Sequence, residues 1–295
     1  MLYNIKPLHL HCVFHGIRFK VNKDWLSGID SLLFLYTLLV FLPSASYICT
    51  YYTIQQYSKT NIMSIKFRLT AMQFLQFFIW GAWLISLGGY MGGTLHFEGG
   101  QIGAIFATMG IASLIMPGLM GIIADKWINA ERLYGILHLI GAGALIYAST
   151  ATTYSHMYWA MLLNMLVYMP TLSLANTVSY NALEQYKLDL IKDFPPIRVW
   201  GTVGFICAMW AVDLTGFKTG PAQLYVAAIS AIFLGLYAFS LPGCPPARSE
   251  GKTMLSAFGL DALVLFKRKK MAVFFLFSML LGAALQITNT YGDLF

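Results

Sequence analysis

Lys267-Arg268-Lys269-Lys270-Met271-Ala-Val-Phe-Phe-Leu-Phe-Ser-Met-Leu-Leu-Gly282-Ala-Ala-Leu-Gln286-Ile-Thr-Asn289 sets four consecutive cations against an apolar run of membrane length. A hydrocarbon core about 30 Å thick takes about 20 mostly apolar residues per helix. Cytoplasmic membrane loops are the ones that carry excess Lys and Arg. The stretch therefore reads as a cytoplasmic loop feeding a spanning helix over 271–291. Upstream, the same pattern repeats six times, over 69–92, 101–124, 133–151, 157–178, 197–215 and 221–241. The composition agrees, because 58% of the 295 residues are hydrophobic and only 11% are charged. A soluble domain is about 25% charged and needs a polar coat that this chain cannot supply. Its solvent is lipid.

A net charge of +7 raises the question of nucleic acid. A nucleic-acid binder clusters its cations on one face, whereas here they fall in short patches between apolar runs, so no nucleic-acid partner is expected. Lys66, Arg68, Lys126, Arg132, Lys187, Lys192, Arg248, Lys252 and the run 267–270 place twelve cations on one side of the membrane. Lys218 stands alone on the other. The positive-inside rule then puts the N-terminal end at Met63 in the cytoplasm. The four cysteines, Cys12, Cys49, Cys207 and Cys244, are scattered and include no C-x-x-C pair, so neither a disulfide nor a metal is expected.

Six helices, a long basic loop and a further helix form the layout of the major facilitator fold, in which two six-helix bundles enclose a central substrate. The expected architecture is an all-α integral membrane protein with an N-terminal six-helix bundle at 63–241. An inter-bundle cytoplasmic loop follows at 242–270, then the first helix of a C-terminally truncated second bundle at 271–295. Residues 1–62 read as an N-terminal extension outside the transporter. Their one apolar stretch, 32–52, is interrupted by Pro43 and violates the charge bias in either orientation.

Three polar groups interrupt the apolar pattern. Between the second and third helices, Gly121-Ile-Ile-Ala-Asp125-Lys126-Trp127-Ile128-Asn-Ala-Glu131-Arg132 resembles the G-x-x-x-D-[RK]-x-G-[RK] signature of the major facilitator superfamily, with Ile128 where Gly is usual. Asp125 and a nearby cation such as Arg132 are expected to latch the cytoplasmic side as a gate. In Asp193-Phe-Pro195-Pro196-Ile-Arg198-Val-Trp-Gly-Thr202-Val-Gly-Phe205, Arg198, Thr202 and Phe205 share one helix face at i, i+4 and i+7. A charge in an apolar helix is costly unless it pairs or faces a cavity. Two readings fit. Either the trio grips a polar ring compound, or Arg198 snorkels to the headgroups while Thr202 bonds back to its own helix. In the seventh helix Gln286 and Asn289 offer amide donors and acceptors on one face, as substrate contacts or as glue between helices.

Residues 63–295 resemble the nucleoside:proton symporter family of bacterial major facilitator proteins. The likeness rests on Phe77-Phe-Ile-Trp80-Gly81-Ala-Trp83, Met169-Pro170-Thr171-Leu172, the 193–202 run, and Leu285-Gln286-Ile-Thr-Asn289. The resemblance implies a proton-coupled nucleoside transporter of the bacterial inner membrane, not an enzyme, working by alternating access. It implies nucleoside and lipid bilayer as partners, a monomer, and the proton as coupling ion with no cofactor. It also assigns Arg198, Thr202, Phe205, Gln286 and Asn289 to the nucleoside pocket. The alternatives are an importer of another neutral polar solute, such as an oligosaccharide, and an inactive truncated membrane protein.

Overall fold

The computed structural model describes residues 62–246 and 260–291. By its internal contacts the chain divides at Ser64 and Ile65, and all packing described below belongs to the second unit. The apolar stretch 32–52 lies outside the described residues, as do 247–259 of the loop 242–270 and 292–295 at the end of the last span.

Each of the seven expected runs is a helix, and no strand occurs among the described residues. They are α1 (Ile62–Gly93), α2 (Gly99–Lys126), α3 (Ala130–Ser149), α4 (Tyr154–Gln185), α5 (Leu190–Leu214), α6 (Ala222–Ala238) and α7 (Lys269–Tyr291). All but α6 are long and apolar enough to cross a membrane. At 17 residues, α6 still reaches about 26 Å at 1.5 Å per residue. A turn at 82–85 interrupts α1.

The helices outrun their apolar segments. α4 continues through Ser179, Asn181 and Glu184 to Gln185, because polar residues at headgroup depth prolong a helix as well as apolar ones do. The same effect moves the start of α5 to Leu190, ahead of the proline pair. Asp189 caps it there, its Oδ1 accepting from the Ile191 and Lys192 N–H groups at 2.9 and 3.4 Å. Pro195 and Pro196 thus sit inside the helix and do not open it.

α3 is the hub, packed along both α4 and α6, while α2 runs along α4. Lipid supplies no hydrophobic drive between helices, so close backbone approach at small residues has to do that work. α3 crosses α6 at Gly135 and Gly235, where a Cβ on Gly135 would lie 2.8 Å from the Gly235 carbonyl oxygen. α1 meets α5 in the same way. A Cβ on Gly81 would lie 2.5 Å from the Phe205 carbonyl, and one on Gly204 would collide with the Phe74 carbonyl. α7 touches α1 and α2 lightly, and most of its length is exposed.

Candidate functional site

The α1–α5 seam carries the first polar group. Arg198 is half-buried, and its guanidinium carbon stands 4.0 Å from the centre of the Phe77 ring. Among the described residues no carboxylate, carbonyl or hydroxyl accepts a hydrogen bond from it. One turn on, Thr202 is exposed and makes no bond back to its own helix, and Phe205 is half-buried. Phe205 meets Trp80 edge to face with ring centres 6.4 Å apart. Trp80 in turn neighbours Phe77 at 6.1 Å and Tyr168 at 6.0 Å. Arg198 and Phe205 therefore belong to one aromatic group built from α1, α4 and α5. The Trp80 indole N–H is buried and finds no acceptor among the described residues.

Behind this group lies a polar network centred on Gln76, which is fully buried on α1. The Thr171 hydroxyl donates to the Tyr168 carbonyl at 2.6 Å, so its oxygen is left to accept from Gln76 Nε2 at 2.9 Å. That fixes the amide. Gln76 Oε1 then receives the Tyr134 hydroxyl at 2.6 Å and His138 Nε2 at 2.8 Å. An amide oxygen only accepts, so His138 carries its proton on Nε2. The Tyr168 hydroxyl donates to the Gln76 carbonyl at 2.6 Å, which locks the ring facing Trp80. None of these residues follows from the expected site. Gln73, Gln76 and His138, polar side chains in the middle of apolar runs, were the available signal.

On α7, Gln286 donates to Thr290 Oγ1 within its own helix at 3.3 Å. Gln286, Ile287 and Thr290 line a cavity of about 420 Å³ with Gly103, Phe106 and Gly110 of α2. Asn289 is half-buried. No hydrogen bond or ion pair joins the α7 group to Arg198, Thr202 or Phe205 among the described residues.

The loop side of the bundle holds the gate candidates. Arg132 is exposed, with Nε 4.0 Å from Glu131 Oε1. Glu131 is the buried member, only 4% exposed. Its Oε2 accepts the Cys244 N–H at 2.8 Å, and its Oε1 accepts Asn129 Nδ2 at 3.0 Å. The Cys244 carbonyl accepts the Ala130 N–H at 3.1 Å in return. A capping box pairs a helix's first N–H groups with a nearby residue. Here Cys244, beyond α6, plays that residue for α3. Gln185 at the end of α4 holds the adjacent Gly243 carbonyl at 2.7 Å. Burial, with the Glu131 and Asp125 carboxylates close by, pushes the Cys244 thiol up to about 11. Lys66 of α1 pairs with Asp193 of α5 at 2.7 Å.

Seven apolar helices among the described residues, with polar side chains gathered at their seams, define a polytopic membrane protein of the major facilitator type. Residues 63–295 match the family described as nucleoside H+ symporter. The chain is 54% identical to the xanthosine permease of Escherichia coli (strain K12) over 234 residues, 79% of this chain and 56% of that protein. It is 49% identical to the nucleoside permease NupG of the same organism, with the same coverage. Two crystal structures of the nucleoside transporter NupG, one of a mutant, align with TM-scores of 0.71 and 0.68 over 77% of this chain. They are covered to 57% and 56% of their own length. The chain belongs to the nucleoside H+ symporter family. It spans little more than half the length of the relatives it matches.

Proposed function

We propose that the protein carries nucleosides across the bacterial inner membrane, coupled to inward proton flow, by alternating access. The observation that carries this reading is a half-buried arginine, Arg198, whose donors have no protein acceptor among the described residues and which lies in one aromatic group with Phe205. A guanidinium edge beside an aromatic face suits a solute with a flat heterocycle and hydroxyl-bearing sugar. In this reading Phe205 stacks the base, while Arg198 and Thr202 hydrogen-bond ribose or base. Gln286 and Asn289 contribute amides from α7 as the two helix groups close on the solute. Asp125 and Arg132 serve the cytoplasmic gate, with the N-terminal end at Met63 on that side. The proton is a coupling ion and no cofactor is required. Membership of the symporter family supports the coupling, and the names of the relatives support the solute class.

Uptake of radiolabelled uridine, adenosine and xanthosine in cells lacking their own nucleoside permeases tests this. Uptake should be competed by unlabelled nucleoside, not by disaccharides, and should collapse when the proton gradient is discharged. Arg198→Ala should lower uptake at least tenfold with membrane insertion unchanged. Normal uptake in that variant, or competition by a disaccharide alone, sinks the reading.

A further inference from the structure

We propose that Phe77 is the positioning residue for Arg198 and that Gly201 is the slot that lets it act. The inference rests on the nucleoside-site reading above and deepens it. A buried arginine is usually held by a carboxylate, which consumes its N–H donors in a bidentate pair. No such partner exists for Arg198 among the described residues. Its guanidinium lies over the Phe77 ring at 4.0 Å instead, within the range of a cation–π contact. A ring face attracts the cation without accepting its N–H groups in a bidentate pair. The donors are thereby oriented but not spent, as a solute-binding arginine requires.

Gly201 makes the arrangement possible. It lies three residues after Arg198, on the same side of α5. A Cβ there would come within 2.6 Å of Phe77 Cδ2 and 2.9 Å of Arg198 Nη1. Any side chain at 201 would therefore enter the space where ring and guanidinium meet. Phe77 neighbours Trp80, whose ring neighbours Tyr168, and the Tyr168 hydroxyl is tied to the Gln76 carbonyl. Arg198 is thus aimed through a chain of contacts that runs from α4 to α1 to α5.

The test uses the full chain with Phe77→Leu, Phe77→Tyr and Gly201→Ala, and two readouts. The first is the NMR spectrum of arginine side chains in protein labelled with 15N-arginine, in nanodiscs. The chain has six arginines, and Arg198→Lys identifies the resonance of interest. The Arg198 side-chain protons should lie upfield of the others through the ring current of Phe77. The shift should vanish in Phe77→Leu and Gly201→Ala and persist in Phe77→Tyr. The second readout is nucleoside uptake. KM should rise about tenfold in Phe77→Leu and Gly201→Ala, between the worth of an exposed and of a fully desolvated cation–π contact. Vmax per inserted protein should stay within twofold, and Phe77→Tyr should behave as wild type. An Arg198 resonance without the upfield shift in the wild type overturns the positioning. So does a shift lost in Phe77→Leu with KM unmoved, or a Phe77→Tyr variant as impaired as Phe77→Leu. Absence of nucleoside uptake by the wild type would refute the nucleoside reading instead, and the spectrum would still decide whether Phe77 holds Arg198.

Discussion

Gln76 shows how much one polar side chain can organise when no water is near. Both ends of its amide and its backbone carbonyl are used, tying Tyr134 and His138 of α3 and Tyr168 and Thr171 of α4 to α1. Replacing it with leucine keeps the volume and leaves the Tyr134 hydroxyl and the His138 N–H without acceptors. Each such orphan costs about 1–3 kcal/mol, reduced inside a membrane by partners found in the unfolded state. Gln76→Leu should therefore lower the melting temperature in detergent by several degrees. An unchanged melting temperature would mean the network does not stabilise the bundle. At this scale the sequence was partly legible. Arg198 announced itself because a cation in an apolar run needs a reason to be there. Phe77, Trp80 and Tyr168 did not, because in a chain that is 15% aromatic one more ring in a helix carries no distinguishing mark. The bond from Tyr168 to a backbone carbonyl is invisible to any reading of side-chain types.

The helices were legible as elements because membrane length and apolar content leave few alternatives. Their ends were less so, since α5 was expected from residue 197 and Asp189 caps it ahead of the two prolines. The joint between the start of α3 and the segment after α6 was not legible at all, as it pairs residues 113 positions apart. It has a measurable signature in Cys244, which is buried beside Glu131 and Asp125. With its pKa raised to about 11, the neutral thiol is the favoured form throughout the ordinary pH range. At pH 8 about one molecule in a thousand would carry the thiolate, against about a quarter for an unperturbed thiol. In a variant lacking Cys12, Cys49 and Cys207, maleimide labelling should be slow and should keep rising about tenfold per pH unit through pH 10. Glu131→Ala should accelerate it. A rate that levels off near pH 9 in the parent protein would mean the thiol does not sit against these carboxylates.

Across the whole molecule, the charge asymmetry that oriented the chain is a statement about topology that intact cells can test. Single cysteines at positions 126 and 132 should resist a membrane-impermeant maleimide until the cells are opened, whereas one at 218 should react at once. Reaction of 132 from outside would invert the arrangement. The α7 surface points to a second property of the assembly. Val273, Phe274, Phe277 and Leu281 are all more than half exposed, a face fit for lipid or for further helices.

The hydrogen bonds between Ala130, Glu131 and Cys244 also constrain the order in which the protein is made. The opening turn of α3 cannot complete its bonding while α4, α5 and α6 are still being threaded into the bilayer, since the residue that finishes it is translated more than a hundred codons later. Until then Glu131 Oε2 lacks the Cys244 N–H that it accepts in the folded protein. The loop-side surface of the bundle thus closes as a late event of biogenesis, when residue 244 clears the ribosome and ties the nascent chain back on itself.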